Sequence, residues 1–275
     1  MGTRRTVRVD GADLAVSSAG TGESLLVVST ALAADELEPL AAQPVIADHH
    51  RIITYDRRGY GASTSTSGPG SIVRDATDAA MVLGAFGTTP AHVLGASYSA
   101  AVALELAAAH PERVRSLVLL EPPPVDVVSG GEFRAACQKL LQLRRRLGVD
   151  AALETFMEQI AGPAWRETYE ATVPGMVGRI ERDAGIFFDS DVPAILGWRP
   201  DRSRLSALTC PVLYVGGSAS GPWFAEVRDW VSWLLPRAHV VMVQEAGHDL
   251  ALTHPQEVAE AFGAFRKIPR ETTGR

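Results

Sequence analysis

Cysteine is scarce in this chain of 275 residues: only Cys137 and Cys210 occur, far apart and outside any spaced motif. A disulfide framework needs more cysteines, and a cysteine-based metal site needs them at short, regular spacing. A chain of this length can bury a sizeable core without such links. The sequence therefore argues against a disulfide-stapled miniprotein and against a metal centre built from cysteine.

Long apolar runs are absent as well. No stretch approaches the ~18 consecutive apolar residues of a membrane-spanning helix. The N-terminal MGTRRTVRVDGADLAV is charged and lacks the apolar segment of a secretory signal. Basic residues are not in excess, since 26 Lys and Arg stand against 32 Asp and Glu, a net charge of −6. We therefore expect a soluble, cytoplasmic protein that binds neither a membrane nor nucleic acid.

Short apolar runs alternate with helical patterns through most of the chain. Four of these runs are predicted as strands; in LLVVS the apolar residues are continuous, as in a strand buried on both faces. They are LLVVS (25–29), AHVLGAS (91–97), SLVLLE (116–121) and PVLYVGG (211–217). Strands that alternate with helices are typical of a mostly parallel sheet with helices on both faces. The sequence thus predicts the α/β class.

The alternation stops in the second half of the chain and then resumes. Helical patterns alone occupy residues 123–208, and the strand pattern returns with PVLYVGG. We predict a core formed by residues 1–122 and 209–275, into which 123–208 are inserted as a helical cap. The aromatic residues of this insertion are expected to form a small core of their own and to cover the sheet edge.

The apolar strand AHVLGAS runs directly into an Ala-rich helix, YSAAVALELAAA. At the junction, Gly95-Ala96-Ser97-Tyr98-Ser99 approximates the strand–turn–helix pattern G-x-S-x-G of serine nucleophiles. The sharp turn crowds its neighbours, so the residues two before and two after the serine must be small. Ser99 replaces the usual glycine, which predicts slightly looser packing of the helix on the strand. We predict that Ser97 is a nucleophile rather than only a helix N-cap.

Three segments resemble the α/β-hydrolase family, in the order that the family has them. They are YDRRGYGAS (55–63), GASYS (95–99) and EAGHDLALTHPQEV (245–258). The resemblance covers nearly the whole chain and implies an α/β-hydrolase fold with a Ser–acid–His site. His248 follows the last strand pattern, so we expect it at the carboxyl edge of the sheet, where it can act as general base toward Ser97.

The acid departs from the family pattern. The family usually places it after the strand that precedes the histidine strand, but no Asp or Glu lies between Pro211 and Phe224. Glu121 ends the strand expected beside the elbow strand, and Pro122 after it should hold Glu121 in an extended conformation. We predict Glu121 as the acid that orients His248. Asp126 is the alternative, and a Ser–His pair without an acid is the third possibility.

The oxyanion hole is also altered, because Ser29-Thr30 stand where the family commonly has His-Gly. By register, the backbone N–H of Ala31 is one predicted donor, with Leu32 as the alternative donor and as a substrate contact. The N–H of Tyr98 is the other predicted donor. From the insertion, Phe188 and Trp198 are predicted to line an apolar substrate pocket.

Other polar residues are expected to have no chemical role. Asp56, Arg57 and Arg58 are predicted to be structural, since an Asp-Arg pair at a strand end holds the next loop through side-chain-to-backbone hydrogen bonds. The remaining histidines are expected at helix ends or on the surface: His49, His50, His92, His110, His239 and His254. No phosphate-binding glycine loop or metal cluster is written in the sequence, so no cofactor or metal is implied.

The predicted function is hydrolysis of an ester, lactone or thioester of a mostly apolar small molecule through an acyl-enzyme. A serine in the elbow argues against the haloalkane dehalogenase and epoxide hydrolase chemistries, which use aspartate there. Three alternatives stay open: an acyltransferase, a cofactor-free lyase, isomerase or cyclase, and a ligand-binding protein with little turnover. The substrate is set by the cap rather than by the fold, and a homo-oligomer stays open too.

Overall fold

The computed structural model describes residues 2–64, 68–88 and 90–268. Its centre is one sheet of eight strands. The strands are β1 (Thr3–Val9), β2 (Ala12–Ala19), β3 (Glu23–Val28), β4 (His50–Tyr55), β5 (Ala91–Ala96), β6 (Val114–Leu120), β7 (Val212–Gly217) and β8 (His239–Val243). They lie in the order β1-β2-β4-β3-β5-β6-β7-β8.

The sheet is antiparallel only at one end. β1 pairs with β2, and β2 with β4, in antiparallel register, whereas every pair from β4 to β8 is parallel. The first two strands form a hairpin with a two-residue loop, because Val9 pairs with Ala12 and Gly11 takes φ +69° at the turn. The predicted mostly parallel sheet is confirmed, and its parallel strands all end at one edge.

Thirteen α-helices are present in the described residues. Before the insertion lie α1 (Glu38–Ala41), α2 (Pro44–Ala47), α3 (Ile72–Ala85) and α4 (Tyr98–Ala109). The insertion contains α5 (Gly130–Leu147), α6 (Val149–Ala161), α7 (Trp165–Thr172), α8 (Met176–Ile186), α9 (Val192–Gly197) and α10 (Arg202–Ser206). The chain ends with α11 (Pro222–Leu234), α12 (Leu250–Thr253) and α13 (Pro255–Arg266).

Each face of the sheet is covered by its own apolar layer. On one face, α3, α4 and α11 bury residues of the sheet together with Leu104, Val102 and Val231. On the other, α1, α2, α12 and α13 pack over Leu25, Val27 and their neighbours. Strand β5 is buried along its whole length, and the small Ala side chains of α4 let that helix approach it closely. The segment between them is therefore held from both sides.

The helical insertion (Gly130–Ser206) interrupts the chain between β6 and β7. It has a core of its own, which also includes Leu32 and Ala33 from the loop after β3. Its largest buried members are Trp165, Tyr169, Met176, Ile180, Phe187 and Phe188. A π-helical segment, Phe187–Asp191, connects α8 to α9. The insertion therefore packs directly on the loop that follows β3.

Between β3 and β4 the chain forms two four-residue helices, α1 and α2, and Pro44 begins the second. One detail differs from the sequence predictions. His50 and His92, expected at helix ends or on the surface, are buried against Phe262 of α13. The Gly/Ser/Thr-rich segment at 59–70, a composition typical of a loop, lies partly outside the described residues.

A helix that crosses a membrane has to be both long and apolar. Over the described ranges, no helix is both long and apolar enough to cross a membrane. The longest, α5, carries the basic run Arg144-Arg145-Arg146 in its last turn. There the three positive charges face the negative end of the helix dipole, which is a stabilising position.

Trp198 fastens the insertion to the core. It is 4% exposed at the end of α9, and its indole Nε1 donates a hydrogen bond of 2.8 Å to Glu105 Oε1 on α4. Glu105 is itself buried. Loss of a donor to a buried carboxylate leaves that charge poorly compensated.

Trp198→Phe is expected to lower the free energy of unfolding by about 1–3 kcal/mol, because it removes the indole donor from the buried Glu105 carboxylate. Urea denaturation followed by circular dichroism measures the change. The matched control is Trp233→Phe, because Trp233 is exposed on α11 and should change stability little. Equal stability of the two variants would contradict this account of how the insertion is fastened.

Candidate functional site

Four neighbouring strands bring the candidate residues to one edge of the sheet. Ser97 follows β5, Glu121 follows β6, Gly217 ends β7, and the loop after β8 leads to His248. Because β5, β6, β7 and β8 are adjacent and parallel, their carboxyl ends lie side by side. Residues more than one hundred positions apart in sequence therefore share one site.

Ser97 occupies a strained turn. Its backbone has φ +50° and ψ −118°, a combination rare for any residue but glycine. Its N–H donates to the Leu120 carbonyl at 2.8 Å, which ties the turn to the end of β6. A Cβ on Gly95 would lie 2.3 Å from the carbonyl oxygen of Ser99. Only glycine fits at that position, as the steric demand of such a turn predicts.

Ser99 stands where the family pattern has a second glycine. It is fully buried, and its hydroxyl donates to the Ala96 carbonyl at 3.0 Å while accepting from the Ala96 N–H at 2.9 Å. One side chain thus contacts both backbone polar groups of the last β5 residue, and Thr30 Oγ1 donates a further hydrogen bond to the Ala96 carbonyl at 2.9 Å. The serine thus links the first turn of α4 to the end of β5, a function that glycine cannot provide.

His248 lies at the sheet edge, in contact with Phe224 and Glu121. Its ring stacks on Phe224 of α11 with 4.0 Å between ring centres and 18° between planes. Its Nδ1 is 2.7 Å from Glu121 Oε2. The loop before it is held by Ser218, whose Oγ accepts from the Glu245 N–H at 2.8 Å. Stacking and hydrogen bonding together set the orientation of the imidazole and leave Nε2 facing away from Glu121.

Glu121 bridges two strands with its carboxylate. It is fully buried; Oε1 accepts from the Gly217 N–H at 2.8 Å, and Oε2 lies at His248. The carboxylate thus occupies the end of β7, where the family usually places the acid itself. A side chain at Gly217 would collide there, since a Cβ would lie 2.3 Å from the Ala246 carbonyl oxygen. This packing explains why β7 ends in glycine rather than in an acid.

The backbone of Glu121 differs from the sequence prediction. An extended conformation was expected before Pro122, but φ is +42°, in the left-handed region. The chain turns sharply at the end of β6, and this turn directs the side chain along the edge toward β7. Positive φ in a residue other than glycine is costly, so the surrounding hydrogen bonds have to stabilise it.

The alternative acid does not reach His248. Both Asp126 carboxylate oxygens accept from Arg202, at 2.7 and 3.0 Å. One of them also accepts from the indole Nε1 of Trp230 at 3.1 Å. Asp126 is therefore engaged on the surface, between the start of α10 and α11.

Negative charge surrounds the imidazole. Burial by itself favours the neutral ring, but the hydrogen bond and charge of Glu121 outweigh it and raise the pKa of His248 above its ordinary 6.5. The charges of Glu36 and Asp249 act in the same direction with smaller effect. A raised pKa makes His248 a stronger base and stabilises the imidazolium once a proton is taken.

Two further carboxyl groups, those of Glu36 and Asp249, lie near His248. Burial, reinforced by the charge of Asp249 and opposed by His248, raises the pKa of Glu36 to about 7. Burial also raises the pKa of Asp249. Tyr169 of α7 lies beside both, and burial with their negative charges raises the pKa of its hydroxyl. Glu36 therefore changes its charge near neutral pH, close to the imidazole.

The loop after β3 holds the predicted oxyanion donors. The Leu32 N–H donates to Tyr60 Oη at 3.0 Å, so it is already engaged and the alternative donor is corrected. For the Ala31 N–H, the structure gives no acceptor within the described ranges. Tyr98 is the first residue of α4 and directly follows Ser97, so its backbone N–H points out of the N-terminal end of the helix, beside Ser97. Ala31 and Tyr98 thus remain the two candidates.

The predicted pocket residues separate into two groups. Leu32 and Phe188 belong to the same buried cluster, which connects the loop after β3 with the insertion. Trp198 lies elsewhere: it is held by Glu105, eight positions along α4 from Ser97, or roughly 12 Å at 1.5 Å per residue. The hydrogen bond to Glu105 gives Trp198 a structural role, and its lining role stays a prediction.

Neither cysteine offers a rival nucleophile. Both are free thiols, Cys137 buried and Cys210 half-buried. Burial raises the pKa of Cys137 to about 12 and that of Cys210 to about 11, so both are thiols at neutral pH. Among the residues that the structure describes, no group of three or more His, Cys, Asp or Glu is arranged to hold a metal ion.

Several residues of the site were not predicted from the sequence. Asp249 adjoins His248, and that adjacency was an available signal. Phe224, Glu36, Tyr169 and Asp191 carry no local pattern, because each reaches the site only through tertiary packing.

The chain was compared with known proteins. A model of the "Alpha/beta hydrolase family" matches residues 22–261. A protein of Azorhizobium caulinodans named "Putative carbamate hydrolase RutD" is 44% identical over 85 residues, 31% of this chain and 30% of that protein. A pimeloyl-[acyl-carrier protein] methyl ester esterase of Aromatoleum aromaticum is 27% identical over 178 residues, 61% of this chain and 70% of the esterase.

Solved structures agree with the fold. An alpha/beta hydrolase from Sphaerobacter thermophilus is 27% identical, with a TM-score of 0.74 over 96% of this chain and 100% of that chain. The family match spans most of the sequence and includes the turn at Ser97 and the loop of His248. On this match and the architecture described above, the chain belongs to the alpha/beta hydrolase family.

Proposed function

We propose that this hydrolase cleaves an ester-type bond, in an ester, lactone or thioester of a mostly apolar small molecule, through an acyl-enzyme on Ser97. The observation that carries the proposal is the 2.7 Å contact between Glu121 Oε2 and His248 Nδ1, at the sheet edge where the strained Ser97 turn also lies. Nucleophile, base and orienting acid are the three parts of such a mechanism.

The reaction begins with proton transfer. His248 Nε2 takes the proton of Ser97 Oγ as that oxygen attacks the carbonyl carbon, and the carbonyl oxygen becomes an oxyanion. Glu121 holds Nδ1–H and stabilises the imidazolium without taking its proton. The N–H groups of Ala31 and Tyr98 donate to the oxyanion.

The second half of the reaction reverses the proton path. His248 gives its proton to the leaving alcohol or thiol as the carbon–oxygen or carbon–sulfur bond breaks. Water then attacks the acyl-enzyme, with His248 again as base, and Ser97 is released. The two similar proteins bear names of ester and carbamate hydrolases. Both bond types are attacked at a carbonyl carbon, which fits the same sequence of steps.

Ser97→Ala is expected to abolish labelling by a fluorophosphonate probe, because the probe forms a bond only with an activated serine oxygen. Turnover of a panel of p-nitrophenyl esters should fall by about 10³-fold or more. Ser232→Ala serves as control: this serine is exposed on α11, and its hydroxyl donates a hydrogen bond to the Arg228 carbonyl. Mass spectrometry locates the adduct. A label that persists in Ser97→Ala would refute the acyl-enzyme, and a labelled wild type without turnover would favour proton-transfer or binding functions.

Glu121→Gln is expected to lower kcat by about 10²–10⁴-fold with the fold retained. The amide oxygen can still accept from the Gly217 N–H, but the amide NH₂ then faces Nδ1 and selects the wrong imidazole tautomer. Steady-state kinetics measure the effect, and binding of an unreactive substrate analogue should change little. Asp126→Asn is the matched control, because it disturbs only the Arg202 and Trp230 contacts. A near-normal rate in Glu121→Gln would rule out its assignment as the acid.

The pH profile should report the raised pKa of His248. Only the neutral imidazole accepts the serine proton, so kcat/KM should fall as pH drops through a value above 6.5. Asp249→Asn removes one of the charges that raise this pKa, so the acidic limb should move to lower pH. An acidic limb that does not move in Asp249→Asn would contradict the electrostatic account of the site.

A further inference from the structure

Five buried polar side chains join the helical insertion to the loop after β3: Arg57, Tyr60, Asp75, Tyr98 and Asp191. We name them the Arg57 network. Arg57 and Tyr60 follow β4, Asp75 lies on α3, and Tyr98 begins α4. Asp191 alone comes from the insertion, at the end of its π-helical segment. From the sequence, Arg57 was expected only to hold the next loop, and the network extends far beyond that loop.

Asp191 is the acceptor at the centre of the network. Its Oδ1 accepts from Arg57 Nη1 at 3.1 Å, and its Oδ2 accepts from Arg57 Nη2 at 2.8 Å. Oδ2 also accepts from the Tyr60 hydroxyl at 2.5 Å. Two parallel bonds between a guanidinium and a carboxylate fix direction as well as distance. The insertion therefore determines where the Arg57 and Tyr60 side chains point.

Arg57 also holds the loop after β3, which carries the predicted oxyanion donor Ala31. Its Nε donates to the Ser29 carbonyl at 2.9 Å and its Nη2 to the Thr30 carbonyl at 3.2 Å. The peptide between Thr30 and Ala31 is planar and trans, so the Ala31 N–H points opposite to the Thr30 carbonyl. A guanidinium that holds that carbonyl thereby aims the N–H predicted to bind the oxyanion.

Tyr60 holds the next peptide. Its hydroxyl oxygen accepts a hydrogen bond from the Leu32 N–H at 3.0 Å, and the same hydroxyl donates one to Asp191 Oδ2. Leu32 has φ +62°, and the Ala33 N–H donates to the Ala31 carbonyl at 2.6 Å. A three-residue turn with positive φ at its centre is rare and strained. The loop needs external support to keep this shape, and Tyr60 and Arg57 supply it.

The same guanidinium contacts the residue that carries the other predicted donor. The Arg57 guanidinium carbon lies 4.3 Å from the centre of the Tyr98 ring. The Tyr98 hydroxyl donates to Asp75 Oδ2 at 2.9 Å, and Arg57 Nη1 donates to that oxygen at 3.0 Å. Both sides of the predicted oxyanion hole therefore meet one buried cation, whose partners are a core aspartate and an insertion aspartate.

We propose that Asp191 is a positioning residue: through Arg57 and Tyr60, the helical insertion aims the Ala31 N–H at the oxyanion. The inference rests on the proposed function, since it presumes that an oxyanion forms at Ser97. Its consequence is that seating of the insertion and assembly of the oxyanion hole are one event. An insertion displaced from the core leaves Asp75 as the remaining carboxylate partner of Arg57 and leaves the Tyr60 hydroxyl without its acceptor.

The test uses Asp191→Ala, Asp191→Asn and Tyr60→Phe in the full chain. Asp191→Asn keeps the shape but removes the charge. Tyr60→Phe keeps the Arg57–Asp191 ion pair and removes the hydroxyl that links Leu32 to Asp191, so it carries the test if the Asp191 variants do not fold. Asp189→Asn is the matched control, because Asp189 lies two residues away in the same segment, exposed and paired with Arg144. Circular dichroism and thermal melting establish that each variant is folded.

The diagnostic probe is an alkyl trifluoromethyl ketone. Ser97 Oγ adds to its carbonyl carbon, the serine proton moves to His248, and the carbonyl oxygen becomes an oxyanion that occupies the hole. Removal of one oxyanion donor typically costs about 10²–10³ in kcat, and a misaimed donor should cost about 10–100-fold. The same factor should appear in the affinity for the ketone, while KM and the acidic limb of the pH profile stay near wild type.

Asp189→Asn should match the wild type in every measurement. The inference is overturned if folded Asp191 and Tyr60 variants keep wild-type kcat and ketone affinity, or if their loss lies in KM alone. A wild type that forms no ketone adduct and takes no fluorophosphonate label would instead refute the proposed function, and this inference with it. An adduct in the wild type with equal affinity in all variants would refute the inference alone.

Discussion

The Glu121 carboxylate is the contact on which the site depends. One oxygen accepts the Gly217 N–H at the end of β7, and the other meets His248, so a single side chain links the ends of β6, β7 and the loop after β8. A fully buried carboxylate is costly unless its oxygens are hydrogen-bonded, and both of these are. The same bonds keep Glu121 at a positive φ that it would not adopt alone. Support of the imidazole and closure of the sheet edge are therefore one arrangement.

A second buried charge organises the opposite side of the Ser97 turn. Arg57 is surrounded by two carboxylates, two loop carbonyls and an aromatic ring, and these partners hold its pKa well above its usual range despite burial. Glu121 orients the proton-transfer half of the site, whereas Arg57 orients the loop of the predicted oxyanion hole. The two charges act on different steps, so their variants should separate in the pH profile and in transition-state analogue binding.

Local sequence patterns sufficed for the elements that form through short-range chemistry. The fold class, the buried strands and the turn at Ser97 all depend on apolar runs and on small residues such as Gly95, which neighbours along the chain dictate. Strand order also favoured Glu121 as the partner of His248, because parallel neighbours end at the same edge, but it left Asp126 and a Ser–His pair without an acid open. The prediction of an extended backbone at Glu121 was wrong. The preference of a residue before proline was outweighed by the hydrogen bonds that hold the Glu121 side chain toward β7.

The amino-acid sequence alone therefore determined the α/β core, the interrupted strand pattern and the candidate residues at the strand ends. Only the tertiary structure decided which carboxylate meets His248, that Leu32 is engaged by Tyr60, and that Trp198 is hydrogen-bonded to Glu105 on α4. It also brought Asp191 to Arg57, 134 positions away in sequence. Such contacts depend on how an inserted helical segment sits on a sheet, and no short-range periodicity encodes that placement. Burial of charge selects among the placements, because each buried ion must find its partners.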